Sequence, residues 1–208
     1  MNALSPPGQL GLFGQASKIP FDFRRPRRLV LDARSWVEHH VGWLGEHESL
    51  FQQLRVTPAW EQRQRWMYTK EVAEPRLTAE LPSLSDAPDE AVRDVGAALS
   101  KHYGVVYDSA WLNLYRDERD STAWHGDRVR SRDEECIVPV LSLGAPRRFQ
   151  LRDRKGGPST TLFVHGGDLV VMGGRCQHDW LHCVPKETRR CGARISLNFG
   201  SSAAMRPG

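Results

Sequence analysis

The chain has little cysteine, no long apolar run and no large charge imbalance, and each shortage closes off a class of protein. Its 208 residues include only four cysteines, Cys136, Cys176, Cys183 and Cys191, and no two of them make a C-x-x-C pair. That argues against a zinc ribbon or a thioredoxin-type redox site, and points to reduced thiols in a cytoplasmic protein. Cys176, His178, His182 and Cys183 do cluster, but their spacing matches no common zinc finger. No apolar stretch approaches the length that spans a bilayer, so no membrane partner is expected. The first residues, MNALSPPGQLGLFGQ, lack the basic segment and apolar block of a secretory leader. The formal charge is only +4, which permits a polyanionic partner without demanding one.

What is present suits one domain with a sizeable core, and a monomer is expected. Residues 1–20 read as a flexible tail. FDFRRPRR (21–28) is either a solvated basic segment or an arm that contacts phosphates. Leu29 to Leu31 reads as a short strand. Asp32 reads as an N-cap, with Trp36, Val37, Val41 and Leu44 at helical spacing, and Leu50, Phe51 and Leu54 continuing the element. Trp60 to Thr78 interleaves aromatics with Arg and Lys. That pattern suits stacking on bases, and equally an amphipathic hairpin. Residues 79–90 read as a loop. Asp89 to Tyr103 reads as a helix closed by Gly104.

After that helix the period changes to two. Strands are expected at 110–115, 123–128, 136–143, 147–152, 160–164, 168–172, 181–184 and 193–199, as in a jelly roll or small barrel. On the first of them Trp111, Asn113 and Tyr115 share one face. On the last, Ile195, Leu197 and Phe199 face the core, while Arg194, Ser196 and Asn198 face the other way.

Between these strands lies His125-Gly126-Asp127. A one-residue gap in extended chain points the imidazole and the carboxylate the same way. His182, 57 residues further on, supplies a third ligand once the sheet rolls up. Two imidazoles and a carboxylate make the facial triad of a non-haem Fe(II) oxygenase, which leaves positions for a cosubstrate and dioxygen (O2). A guanidinium inside a barrel needs an anion, and the fork of Arg194 matches a carboxylate. A dicarboxylate that chelates iron at one end and meets Arg194 at the other would be 2-oxoglutarate. Trp124 and Trp180 flank ligands and are expected to pack behind the imidazoles. His165, in a Gly-rich turn, is expected to be structural.

These segments together resemble the AlkB-type Fe(II)/2-oxoglutarate dioxygenases, oxidative dealkylases of nucleic acids. The resemblance covers roughly residues 58 to 200. It rests on NLY at 113–115, WHGD at 124–127, LSLGAPRRFQLR at 141–152, HGGDLVVMGG at 165–174, QHDWLHCVPK at 177–186 and RISLNF at 194–199. It implies an α+β fold: a double-stranded β-helix (jelly roll) over 111–200, supported by helices and a nucleotide-recognition lid over 21–110. Residues 21–208 would form one domain. The resemblance implies iron on His125, Asp127 and His182, and 2-oxoglutarate on Asn113, Tyr115 and Arg194, with Ser196 and Asn198 beside it. The implied partner is single- or double-stranded DNA, or RNA. Trp60, Trp66, Tyr68, Arg76, Trp124 and Arg128 are the expected substrate contacts.

The sequence departs from that pattern in three places. Ser196 stands where the family has Asn, Asn198 where it has Thr or Ser, and Gly200 where it has a second Arg. Arg128-Val129-Arg130 follows Asp127 where repair members carry an acid. PRLTA at 75–79 runs into Glu80-Leu81-Pro82 with no aromatic ring.

Overall fold

The period-two pattern of the C-terminal half becomes antiparallel strands in a computed structural model of the chain, which describes residues 21–67, 69–127 and 135–201. The expected tail, Tyr68 and Arg128 lie outside the described residues. The first half holds β1 (Arg27–Val30), β2 (Ser35–His40), α1 (His47–Val56), β3 (Gln64–Met67), β4 (Lys70–Ala73), β5 (Leu77–Leu81) and α2 (Glu90–Tyr103). The second holds β6 (Ser109–Tyr115), β7 (Thr122–His125), β8 (Cys136–Gly144), β9 (Arg147–Asp153) and β10 (Thr160–Val164). It closes with β11 (Leu169–Gly174), the helical turn α3 (Cys176–Asp179), β12 (Trp180–Val184) and β13 (Arg194–Gly200).

Seven strands pair in the order β1-β2-β11-β8-β13-β6-β5, and four pair as β10-β9-β12-β7. Their inner faces meet in one apolar cluster. Val138, Val140, Val170 and Met172 of the larger sheet pack with Phe149, Leu151, Val164 and Val184 of the smaller. This is the expected jelly roll. The outer face of the larger sheet makes a second cluster. There Leu112, Leu114, Leu141, Leu143, Ile195 and Leu197 meet Leu50, Phe51 and Leu54 of α1 and Val92, Val95 and Leu99 of α2. Each such side chain stabilises the fold by about 1.5–3 kcal/mol when it leaves water. The alternation on β6 and β13 therefore sorts apolar residues to the helices and polar ones to the interior of the roll.

Helix α2 begins and ends as its sequence predicts. The Asp89 carboxylate accepts from Ala91 N at 2.7 Å, and Gly104 closes the helix at φ 69°. The region 60–78 takes the hairpin form: β3 and β4 pair as a separate ribbon.

The structure corrects three expectations. Residues 35–40 are a strand, not a helix. Strand β2 lies between β1 and β11 and is buried on both faces, so no alternation shows and the apolar residues fall by chance at helical spacing. Val41, expected on the apolar face, is 58% exposed. Asp32 caps no helix; its carboxylate accepts from Arg34 N and from Trp180 Nε1. Second, Leu50, Phe51 and Leu54 belong to the independent helix α1. Third, the expected loop at 79–90 starts as strand: β5 pairs with β6, Thr78 opposite Asn113.

Candidate active site

The register of two strands assembles the site. Strand β12 runs antiparallel to β7 with His182 opposite His125. The two imidazoles lie 4.2 Å apart between centroids. Asp127 follows on the loop after β7. Its carboxylate oxygens stand 3.6 Å from His125 Nε2 and 3.8 Å from His182 Nε2. One ligand atom from each of the three lies within 4.8 Å of the others, the sole such group among the described residues. All four cysteines are free, and none joins a metal cluster there.

Neighbours hold these ligands in place. His125 Nδ1 lies 2.8 Å from the Ala123 carbonyl, so that nitrogen donates and Nε2 keeps its lone pair for a metal. Phe149 stacks on His182 at 5.4 Å. The Gln177 side chain accepts from Asp127 N at 2.8 Å. Gly126 has no room for a side chain: a Cβ there would stand 2.4 Å from the Gln177 carbonyl oxygen. The glycine thus lets the ligand loop lie against α3. Sequence reasoning missed Gln177 and Phe149, and only the small residue between the two ligands carried a signal.

Burial pushes the His182 imidazole down to about 4, because the protonated form loses its water. Neutral His182 is therefore ready to bind metal at ordinary pH. The folded value lies below that of the unfolded chain, so the unfolded chain takes up the proton first. Stability that is full above about pH 6.5 should be lost as pH falls toward 4, by on the order of 3 kcal/mol for this group. Denaturant unfolding of the metal-free protein measures it. The pH dependence between 6.5 and 4 should shrink by that amount in His182→Asn.

Beyond the triad, Arg194 sits at the start of β13 opposite Tyr115, and Ser196 sits opposite Asn113. Arg194 is 2% exposed. Its Nε donates to Ser142 Oγ at 2.8 Å, and its Nη1 finds no partner. Tyr115 is placed by Thr122, with 2.8 Å between the hydroxyls. Asn113 donates to Ser196 Oγ at 3.1 Å and accepts from Arg76 Nε at 2.9 Å. Asn198 is turned to the sheet backbone, donating to the Trp111 carbonyl at 2.9 Å. The expected 2-oxoglutarate residues thus come together on the interior faces of β6 and β13.

The expected substrate residues are more scattered. Trp66 stands 71% exposed on β3. Trp60 packs partly against the outer core and donates from Nε1 to the Arg55 carbonyl. The Arg152 guanidinium lies over the Trp124 ring at 4.3 Å. Arg76 is also paired with Glu74 at 2.9 Å. Of the basic segment at 21–28, Arg24 pairs with Asp22, and Arg28 pairs with Glu38 and lies over the Trp36 ring. His165 donates its backbone N–H to Asp168 and lies outside the triad.

The donor set fits iron with 2-oxoglutarate: two imidazole nitrogens and a carboxylate oxygen lie within 4.8 Å of one another, and a buried guanidinium with an unpartnered Nη1 lies in the same interior.

Comparison with known proteins places these features. The chain is 32% identical over 176 residues to alpha-ketoglutarate-dependent dioxygenase alkB homolog 3 of Bos taurus, covering 75% of this chain and 62% of that one. It is 30% identical over 119 residues to DNA oxidative demethylase ALKBH2 of Arabidopsis thaliana, covering 46% of this chain and 38% of that protein. It spans about three fifths of the length of the alkB homolog 3 relatives. Among solved structures it is similar to OsALKBH1, with TM-score 0.58 and 13% identity, over 83% of this chain and 98% of that one. A Trichoplax adhaerens prolyl hydroxylase, with TM-score 0.56 and 14% identity, aligns over 78% of this chain and 83% of its own. Both likenesses are of fold. The profile of the 2OG-Fe(II) oxygenase superfamily matches residues 26–200. With nearly the whole described fold inside that match, and its sequence likeness running to the AlkB homologues, the chain belongs to the 2OG-Fe(II) oxygenase superfamily.

Proposed function

We propose that the chain is an Fe(II)- and 2-oxoglutarate-dependent dioxygenase that removes alkyl groups from the ring nitrogens of DNA bases. The observation that carries this reading is the His125, Asp127 and His182 group, whose ligand atoms converge within 4.8 Å inside a jelly roll. The names of the AlkB relatives support the dealkylating direction.

His125 Nε2, the Asp127 carboxylate and His182 would hold the iron, and Arg194 with Tyr115 would receive the far carboxylate of 2-oxoglutarate. When bound, this pair would supply oxidation by dioxygen of an alkyl C–H bond, or of the C=C bond of an etheno bridge, coupled to decarboxylation of 2-oxoglutarate to succinate. The chain's own part is placement. Asp127 would cancel charge at the metal, and His125 is held to one tautomer by Ala123. Phe149 and Leu151 keep water from the His182 side. Arg76 ties the base of the β3–β4 hairpin to Asn113 on β6. A carbon hydroxylated next to nitrogen then leaves as an aldehyde while the nitrogen keeps its electron pair and takes a proton. A base stacked in duplex presents no such carbon, so it must be extruded or arrive single-stranded.

Product analysis by mass spectrometry tests the reading. The protein would be given Fe(II), 2-oxoglutarate, and DNA and RNA oligonucleotides carrying single adducts. Succinate and the dealkylated DNA strand are the expected products. Arg128, next to the triad in sequence, only donates hydrogen bonds and would repel a cationic base. Ethenoadenine should therefore react ahead of N1-methyladenine. Succinate with no altered oligonucleotide would move the substrate to protein. No succinate at all would overturn the oxygenase reading.

A further inference from the structure

Strand β9 begins with two arginines that meet opposite fates. Arg148 faces outward. Its Nε donates to Glu187 Oε2 at 2.9 Å and its Nη2 to the Lys186 carbonyl at 2.7 Å. Arg147 shares the inward parity of Phe149 and Leu151 and is 2% exposed. Its Nη2 donates to the carbonyls of Asp117 and Asp120. Its Nε and Nη1 are buried with no hydrogen-bond partner. No carboxylate among the described residues makes an ion pair with Arg147 or with Arg194.

Both guanidiniums lie over one ring. Arg194 Cζ lies 5.3 Å from the centre of Tyr115, and Arg147 Cζ lies 5.7 Å from it. Burial above all pulls the Arg194 pKa below the usual arginine range; Tyr115 opposes the shift, and the Arg147 charge adds to it. Two buried cations with three unpartnered nitrogens in all are costly unless an anion joins them. One carboxylate can accept about four hydrogen bonds, enough for both forks. Carbonyl oxygens hold one edge of Arg147 and leave the rest of its fork free.

We infer that Arg147 is a second guanidinium for the far carboxylate of 2-oxoglutarate, acting with Arg194 beside the Tyr115 ring. This rests on the proposed use of 2-oxoglutarate and adds a residue that selects a dicarboxylate over a monocarboxylate. Arg194 supplies the first fork; Arg147 supplies the second positive charge.

The test is equilibrium binding to the full chain loaded with Mn(II), without oxygen. The probes are 2-oxoglutarate and 2-oxobutyrate, which keeps the 2-oxo acid and lacks the far carboxylate. Arg147→Gln should weaken 2-oxoglutarate about ten-fold or more and leave 2-oxobutyrate within about two-fold, narrowing the preference between them. Arg147→Lys keeps the charge without the fork, and should fall between wild type and Arg147→Gln. Arg148→Gln, on the outer face, should change neither. A purely structural Arg147 would weaken both acids alike or neither, and that result overturns the inference. Should Arg147→Gln not fold, an unchanged preference in Arg147→Lys would overturn it equally. Wild-type protein that binds no 2-oxoglutarate would instead sink the proposed function.

Discussion

Asp127→Ala is expected to lose metal binding and turnover together while the metal-free fold survives. Removing a partner that merely orients a metal ligand typically costs 10–100-fold in affinity or activity, and removing a ligand costs more, so the loss should exceed about 100-fold. The fold should stand because, among the described residues, the Asp127 side chain meets only the two imidazoles of the group. Its carboxylate faces the imidazoles of His125 and His182, and Gln177 holds its backbone N–H, which Ala keeps. The melting temperature of the metal-free variant should lie within about 4 °C of wild type. Calorimetric titration with Mn(II) beside succinate release decides it. Substantial turnover in Asp127→Ala would remove Asp127 from the triad.

Arg194→Ala should have the second largest effect, on the cosubstrate alone. Truncating one member of a buried charge-assisted pair costs about 2–5 kcal/mol, upwards of ten-fold in affinity. Arg194 is the more deeply committed of the two inward arginines: its Nε is held by Ser142 and it lies opposite Tyr115 in the β13–β6 register. The concentration of 2-oxoglutarate needed for half-maximal succinate release should rise sharply, while Mn(II) affinity in its absence stays near wild type. Normal 2-oxoglutarate binding would leave Arg147 as the principal partner. Loss of metal binding would show that Arg194 supports the triad itself.

The parts of this molecule that could be read from its residues are those where one face differs from the other. Strands β6 and β13 send leucines and isoleucine to the helices and polar groups to the interior, so both the strands and the site residues on them were visible. The ends of α2 were visible because Asp89 and Gly104 each do one local job. Strand β2 was hidden by burial on both faces, and β5 by the Pro- and Ser-rich segment it leads into. The triad could be named from spacing, but not the pairing of His182 with His125, which depends on the register of strands far apart in sequence. Gln177 and Phe149 act through contacts that no local pattern announces. Arg147 was nearer to reach. Phe149 and Leu151 set the inward parity of β9, and that parity picks Arg147 over Arg148.

The β3–β4 ribbon stands apart from all this. It belongs to neither large sheet and carries Trp66 in the open. Among the described residues its roots are few: the Glu61–Thr78 bridge, the Arg76 hydrogen bond to Asn113, and an ion pair from Arg63 to Glu80. Little of the folding free energy passes through it, so its residues are free to vary at small cost to the roll. A change in the ribbon can therefore leave the His125, Asp127 and His182 group of the roll where it is.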